Sequence, residues 1–178
     1  PASTPPPRPS SRRPCAGGPT GAGKATLINI MTRYYDITDG RILIDGQDLA
    51  KLTQRSLRKQ IGVVLQEAFL FTDTVMNNLL YANEGATPED AIEAAKKANA
   101  HDFILGLPEG YDTMLTERGA NLSQGQRQMI TIARAMVADP KMLILDEATS
   151  SLDSESEGLV QEALEHLMQN RTSSCSTR

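Results

Sequence analysis

The chain has 178 residues, enough for one α/β domain with a real core, and its 39% hydrophobic and 22% charged content is that of an ordinary globular protein. A formal net charge of -4 argues against a dedicated nucleic-acid binder, which carries a basic excess. No stretch approaches the roughly 18 apolar residues that a membrane-spanning helix needs. Cys15 and Cys175 stand near opposite ends with no metal or redox spacing, so a reducing compartment is the default.

Residues 1–16 form a Pro/Arg/Ser-rich leader. Seven of the ten prolines fall by Pro19, and the first acidic residue is Asp36. Such a segment supplies few hydrogen bonds to a strand or helix and is expected to be disordered. Its Arg/Ser content without acids has the flavour of a transit peptide, but the prolines would break the amphipathic helix of one. The polar, patternless tail 172–178 (TSSCSTR) is also expected to be disordered. Between them, residues 17–171 alternate strand and helix signals, as an α/β domain does.

The glycine-rich stretch Gly17–Gly23 opens a helix expected to reach about Tyr34. Arg41–Asp45 (RILID) reads as a short strand closed by Gly46. Thr53 caps a helix through Lys59, and Ile61–Leu65 (IGVVL) is a buried strand. Helices follow near Val75–Tyr81 and Pro88–Ala98, the second with Thr87 as N-cap and Pro88 at its first position. Ser123 caps a long helix to about Ala138, Met142–Leu145 is another buried strand, and Asp153–Gln169 is a last helix. The runs IGVVL and MLIL lack alternation, which suits strands covered on both faces.

Chemistry enters with GGPTGAGKAT at Gly17–Thr26. Glycines let successive backbone N–H groups turn inward around phosphate oxygens, and the helix that follows presents its positive end to them. Gly18, Pro19, Thr20, Gly21, Ala22 and Gly23 would cradle the phosphates, and Lys24 would reach the β- and γ-phosphates as a mobile charge. A surface turn before a helix is the plainer alternative. The usual pattern places Ser or Thr directly after the lysine, where its hydroxyl binds Mg²⁺. Ala25 stands there instead, with Thr26 one position later and pointing differently around the helix.

MLILDEATSSLD, Met142–Asp153, carries the second half of the site. An acid at the carboxyl end of a buried parallel strand lies in the crevice where such sheets bind ligands. Asp146 would hold Mg²⁺, and Glu147 would accept a proton from, or orient, an attacking water. In NLSQGQRQMITIARAMVADP, Asn121–Pro140, Ser123 and Gly125 at a helix start aim unpaired N–H groups outward, a second anion site without a lysine. The same helix buries an apolar stripe of Met129, Ile130, Ile132, Ala133 and Met136.

These segments together resemble ATP-binding-cassette (ABC) ATPases. LSQGQ looks like the family's signature motif. GPTGAGKAT, Gln66 in VVLQEAFLF, LILDE and SSLD look like its Walker A, Q-loop, Walker B and D-loop, in the family's order. ERGANLSQGQ is similar to the segment by which exporters contact their coupling helices, and 41–82 follows the exporter pattern. The resemblance covers roughly 17–171 and implies a P-loop NTPase-like core sheet with a helical subdomain at about 72–138, in a truncated copy missing its N-terminal strands and C-terminal part.

The resemblance further implies ATP and Mg²⁺ as ligands, with Lys24, Ala25 and Thr26 in the phosphate loop, Gln66 and Asp146 at the metal, and Glu147 as base. Ser123, Gly125 and Gln126 would touch the γ-phosphate of ATP held by a second nucleotide-binding domain, in a head-to-tail dimer with Asp153 at its interface. Transmembrane domains would stand on another chain or be lost from this one, placing the protein at the cytoplasmic face of a membrane. The phosphate-loop strand is expected beside the strand of Asp146, and its loss to leave strand edges uncovered. The adenine-stacking aromatic and the switch histidine of the family are not matched. His101 and His166 read as surface or packing residues.

Overall fold

The computed structural model describes residues 24–44, 46–65, 67–146, 152, 154–169 and 172–176. Helix α1 (Lys24–Met31) comes first. It ends three residues before the expected Tyr34, because Arg33 adopts the left-handed conformation at φ 54° while the Thr32 hydroxyl turns back to the Ile28 carbonyl. The expected strand 41–45 is shorter than its pattern. Among its described residues only Leu43–Ile44 (β1) pairs, antiparallel with Gln47–Asp48 (β2). Thr53 then caps α2 (Gln54–Arg58), accepting the Ser56 N–H, as the sequence indicates. Arg58 and Gln54 reach back to the carbonyls of Thr32 and Arg33, so α2 is fastened to the end of α1.

Strand β3 (Ile61–Val64) leads to a helical layer formed by α3 (Val75–Leu80), α4 (Pro88–Lys97), α5 (His101–Leu105) and α6 (Gln124–Val137). Each start has a local cause. Thr74 accepts the Asn77 N–H at α3, and Thr87 with Asp90 forms a reciprocal capping box at α4, with Pro88 in the first turn. Helix α5 has no side-chain cap, and no sequence signal announced it. Alanines Ala91, Ala94 and Ala95 are buried on α4 and let it lie close against α6.

Strand β4 (Met142–Asp146), α7 (Ser154–Met168) and β5 (Thr172–Ser176) complete the described chain. The sheet is parallel with order β3-β4-β5, pairing Val64 with Leu145 and Asp146 with Ser176. Two expectations change here. The tail from Thr172 is not patternless coil through Ser176. It is a strand, because ladder hydrogen bonds to β4 depend on backbone and not on side-chain hydrophobicity. Nor is a phosphate-loop strand the neighbour of β4, since β3 and β5 occupy its two edges.

The core lies between this sheet and the helices, with Leu143, Ile144 and Leu145 of β4, Ile130, Ile132 and Ala133 of α6, and Val160, Ala163 and Leu167 of α7 all buried. Leu143, Ile144 and Leu145 are covered as expected while Met142 is half-buried, and IGVVL is not covered equally on both faces. Gly62 and Val64 are buried, while Ile61 and Val63 are half-buried and Leu65 is 49% exposed. Gly62 has no room for a side chain, because a Cβ there would stand 2.6 Å from Pro140 Cγ. The glycine admits the proline of the α6–β4 connection.

Candidate nucleotide site

The candidate site has three described parts: the start of α1, the end of β4 and the start of α6. Helix α1 begins at Lys24, with Ala25 next and Thr26 exposed on its first turn. The side chains of Lys24 and Ala25, and all of Gly18–Gly23, lie outside the described residues. Strand β4 ends at Asp146, at the carboxyl edge of the parallel sheet, next to the end of β3. The Asp146 side chain, Gln66, Glu147 and Asp153 lie outside the described residues too. The leader 1–16 does so as well. Among the described residues no group of three or more His, Cys, Asp or Glu could hold a metal ion by itself.

The start of α6 is described in full. Ser123 Oγ accepts the Gln126 N–H at 3.2 Å, and Gln126 Oε1 accepts the Ser123 N–H at 3.0 Å. This capping box fixes both side chains yet leaves the Ser123 hydroxyl proton and the Gln126 amide N–H groups free for a ligand. The first-turn N–H groups of Gln124 and Gly125 precede any intrahelical acceptor. No acidic residue stands in that turn, and Ser123 and Gln124 are exposed. Four donors at the positive end of a 14-residue helix, with no carboxylate among them, fit an anion such as a phosphate.

Gly125 has a second reason to be glycine. A Cβ there would come within 2.5 Å of both Cβ and Oγ of Ser156, in the first turn of α7. Helices α6 and α7 therefore meet at a point that admits hydrogen only.

Sequence reasoning overlooked what holds α6 in place. Gln128 is 2% exposed and donates through Nε2 to the Leu65 carbonyl at 3.3 Å. Arg134 forks onto three oxygens: the Asn78 carbonyl through Nε at 2.9 Å, Phe69 O through Nη1 at 3.0 Å and Asn78 Oδ1 through Nη2 at 2.9 Å. Its guanidinium also lies 5.4 Å from the Phe71 ring centroid. Burial pulls its pKa down to about 10, which leaves it charged at neutral pH. No described carboxylate pairs with it. Asn78, 1% exposed, accepts the Phe71 N–H and donates to the carbonyls of Phe71 and Thr74. Arg127 holds the other flanking loop, donating to the carbonyls of Gly119 and Leu122. The available signal was a polar or charged residue set inside the apolar stripe of an amphipathic helix.

The two histidines have ordinary partners: His101 Nδ1 meets the Tyr111 hydroxyl, and His166 Nδ1 the Lys97 carbonyl. Among the described residues no helix is long and apolar enough to cross a membrane.

The ABC transporter family matches residues 16–150 of the chain. The chain is 57% identical over 155 residues to an ATP-dependent lipid A-core flippase of Syntrophus aciditrophicus, covering 87% of this chain and 26% of that protein. It is 55% identical over 156 residues to the ABC transporter ATP-binding protein YfiC of Bacillus subtilis, itself uncharacterized, again covering 88% and 26%. Among solved structures, a bacterial Atm1-family ABC exporter with ATP bound superposes with a TM-score of 0.85 at 43% identity, over 93% of this chain and 29% of the other. The chain thus spans about a quarter of the length of these relatives.

Proposed function

Because the chain belongs to the ABC transporter family, we propose that it is the ATP-binding unit of an exporter-type transporter. In this reading Gly18–Gly23 and Lys24 grip the phosphates, Asp146 and Gln66 hold Mg²⁺, and Glu147 takes the proton of the attacking water. When bound, Mg²⁺ supplies charge neutralisation at the phosphate oxygens. Ser123, Gly125 and Gln126 offer their donors to the γ-phosphate of ATP on a second such domain, head to tail. Membrane domains outside the 178 residues would carry the cargo path and place this unit on the cytoplasmic face.

The observation that supports this most is the start of α6, where free donors at a positive helix end coincide with LSQGQ, the segment the family resemblance assigns to a phosphate. Titration calorimetry with MgATP tests it. Lys24→Ala removes a charge-assisted contact and should weaken binding by about tenfold or more. No uptake by the parent chain, or equal affinity in Lys24→Ala, would sink the reading.

Ala25 favours a second, narrower reading in which ATP binds and turns over very weakly or not at all, since the metal lacks a hydroxyl ligand. ATP turnover by the parent beside Ala25→Thr decides this. Appreciable hydrolysis by the parent removes it.

A further inference from the structure

The connection from α1 to β1 contains Asp39 followed by Gly40, both exposed. The Gly40 N–H donates to Asp39 Oδ1 at 2.7 Å, so the carboxyl group lies against the nitrogen of the next peptide bond. Among the described residues neither one makes another hydrogen bond. Gly40 has φ 83°, a left-handed conformation that glycine adopts without strain. Around the position a Cβ would take there is open space. The turn therefore selects the one residue type that leaves this nitrogen without a side chain to shield it.

We propose that Asp39 is a self-modification site, where the exposed turn rearranges without an enzyme through a cyclic imide to isoaspartate. The Gly40 nitrogen forms a bond to Asp39 Cγ, and the hydroxyl of the protonated carboxyl leaves with the amide proton as water. Water then opens the imide at either carbonyl. Attack at the side-chain carbonyl restores aspartate. Attack at the backbone carbonyl routes the chain through Cγ and leaves the α-carboxyl free, which is isoaspartate. Nothing is oxidised or reduced, and water is the only co-reactant. Holding the reacting groups side by side favours the ring closure. The product keeps one carboxylate but lengthens the α1–β1 connection by one methylene.

Asp73 supplies a comparison within the same molecule. Its Oδ1 also accepts the N–H of the next residue, Thr74, at 2.7 Å. There the structure opposes the reaction. Thr74 brings a branched side chain beside the nitrogen, and Asn77 Nδ2 holds the same Oδ1 at 2.8 Å. These hydrogen bonds keep the Asp73 carboxyl ionised to below its ordinary range, and a carboxylate has no hydroxyl to lose. The backbone on either side is fastened too: Leu115 N–H donates to the Asp73 carbonyl, and Val75 N–H to the Thr113 carbonyl. The contact is the same, but only the turn at Asp39 is free to close the ring.

The test incubates the full 178-residue chain in mildly acidic buffer and follows isoaspartate by tryptic peptide mapping. Trypsin cuts after Arg33 and Arg41, so Asp39 falls in peptide 34–41 and the second Asp–Gly pair, Asp45–Gly46, in another. Electron-transfer fragmentation separates Asp39 from Asp36. Methyl transfer by an isoaspartate carboxyl methyltransferase gives an independent count. Isoaspartate at Asp39 should form at a rate comparable with the free synthetic peptide 34–41, and faster than at Asp73 by about tenfold or more. Asp39→Glu, which keeps the charge but must close a larger ring, should abolish it, and Gly40→Ala should slow it severalfold. No isoaspartate at Asp39, a rate far below that of the free peptide, or an undiminished rate in Gly40→Ala would overturn the proposal.

Discussion

Gly125→Ala isolates the packing role of a glycine otherwise credited only with close approach to phosphate. The added methyl would stand 2.5 Å from Ser156 Cβ and Oγ, about 1 Å inside normal carbon–carbon contact. Cβ cannot rotate away, so the first turn of α7 must shift against a packed core. Overpacking of this kind costs about 1–3 kcal/mol. Alanine in a helix recovers up to about 1 kcal/mol over glycine. The net expectation is a loss of about 1–2 kcal/mol, or roughly 2–8 °C in thermal midpoint for a chain of this size. The assay is urea and thermal unfolding of Gly125→Ala, Ser156→Gly, Ser156→Ala and the two doubles. In the Ser156→Gly background the clash partner is gone, so Gly125→Ala should become neutral or slightly stabilising. Ser156→Ala keeps the offending Cβ and should not rescue. A Gly125→Ala protein as stable as its parent, or equal rescue by Ser156→Ala and Ser156→Gly, would refute the reasoning.

Asn78→Leu should cost about 2–4 kcal/mol, because it strands the Phe71 N–H and one arm of the Arg134 fork in the interior; denaturant unfolding measures it. Thr87→Ala removes the hydroxyl that accepts the Asp90 N–H and should lower stability by about 1 kcal/mol, read the same way. Acid should destabilise the fold. Hydrogen bonds from Asn77 and Thr74 hold the Asp73 carboxyl below its ordinary 3.8, bonds from Thr87 do the same for Asp90, and Lys96 lowers Glu93 from 4.5. These depressed values mean the unfolded chain binds protons first as pH falls. Their contribution is complete above the unfolded values and is lost as pH drops through the folded ones. Urea midpoints should therefore be flat from pH 7 to about 5 and fall below about pH 4, and a midpoint that rises on acidification would contradict this.

The sequence by itself determined the elements whose causes are local. Thr53, Thr87 and Ser123 announce helix starts because each cap bonds a backbone N–H three residues on. IGVVL and MLIL announce strands, and the order of the motifs announces the family. The glycine-rich stretch, the strand-end acids and LSQGQ are each contiguous, so the family resemblance they carry is readable before any folding. The Asp146 and α6 placements follow directly from those segments.

Only the tertiary structure decided the rest, since the partners are remote along the chain. Polar Thr172–Ser176 becomes β5 because β4 offers it a ladder, not because its own side chains favour a strand. Gln128 and Arg134 stand out locally only as polar residues at the apolar stripe of α6; the carbonyls they hold lie 63 and 65 positions away. Gly125 meets Ser156 only once α6 and α7 pack. Hydrogen bonds and steric limits between distant segments leave no periodic mark in either one, and a backbone carbonyl has no residue type of its own to betray it.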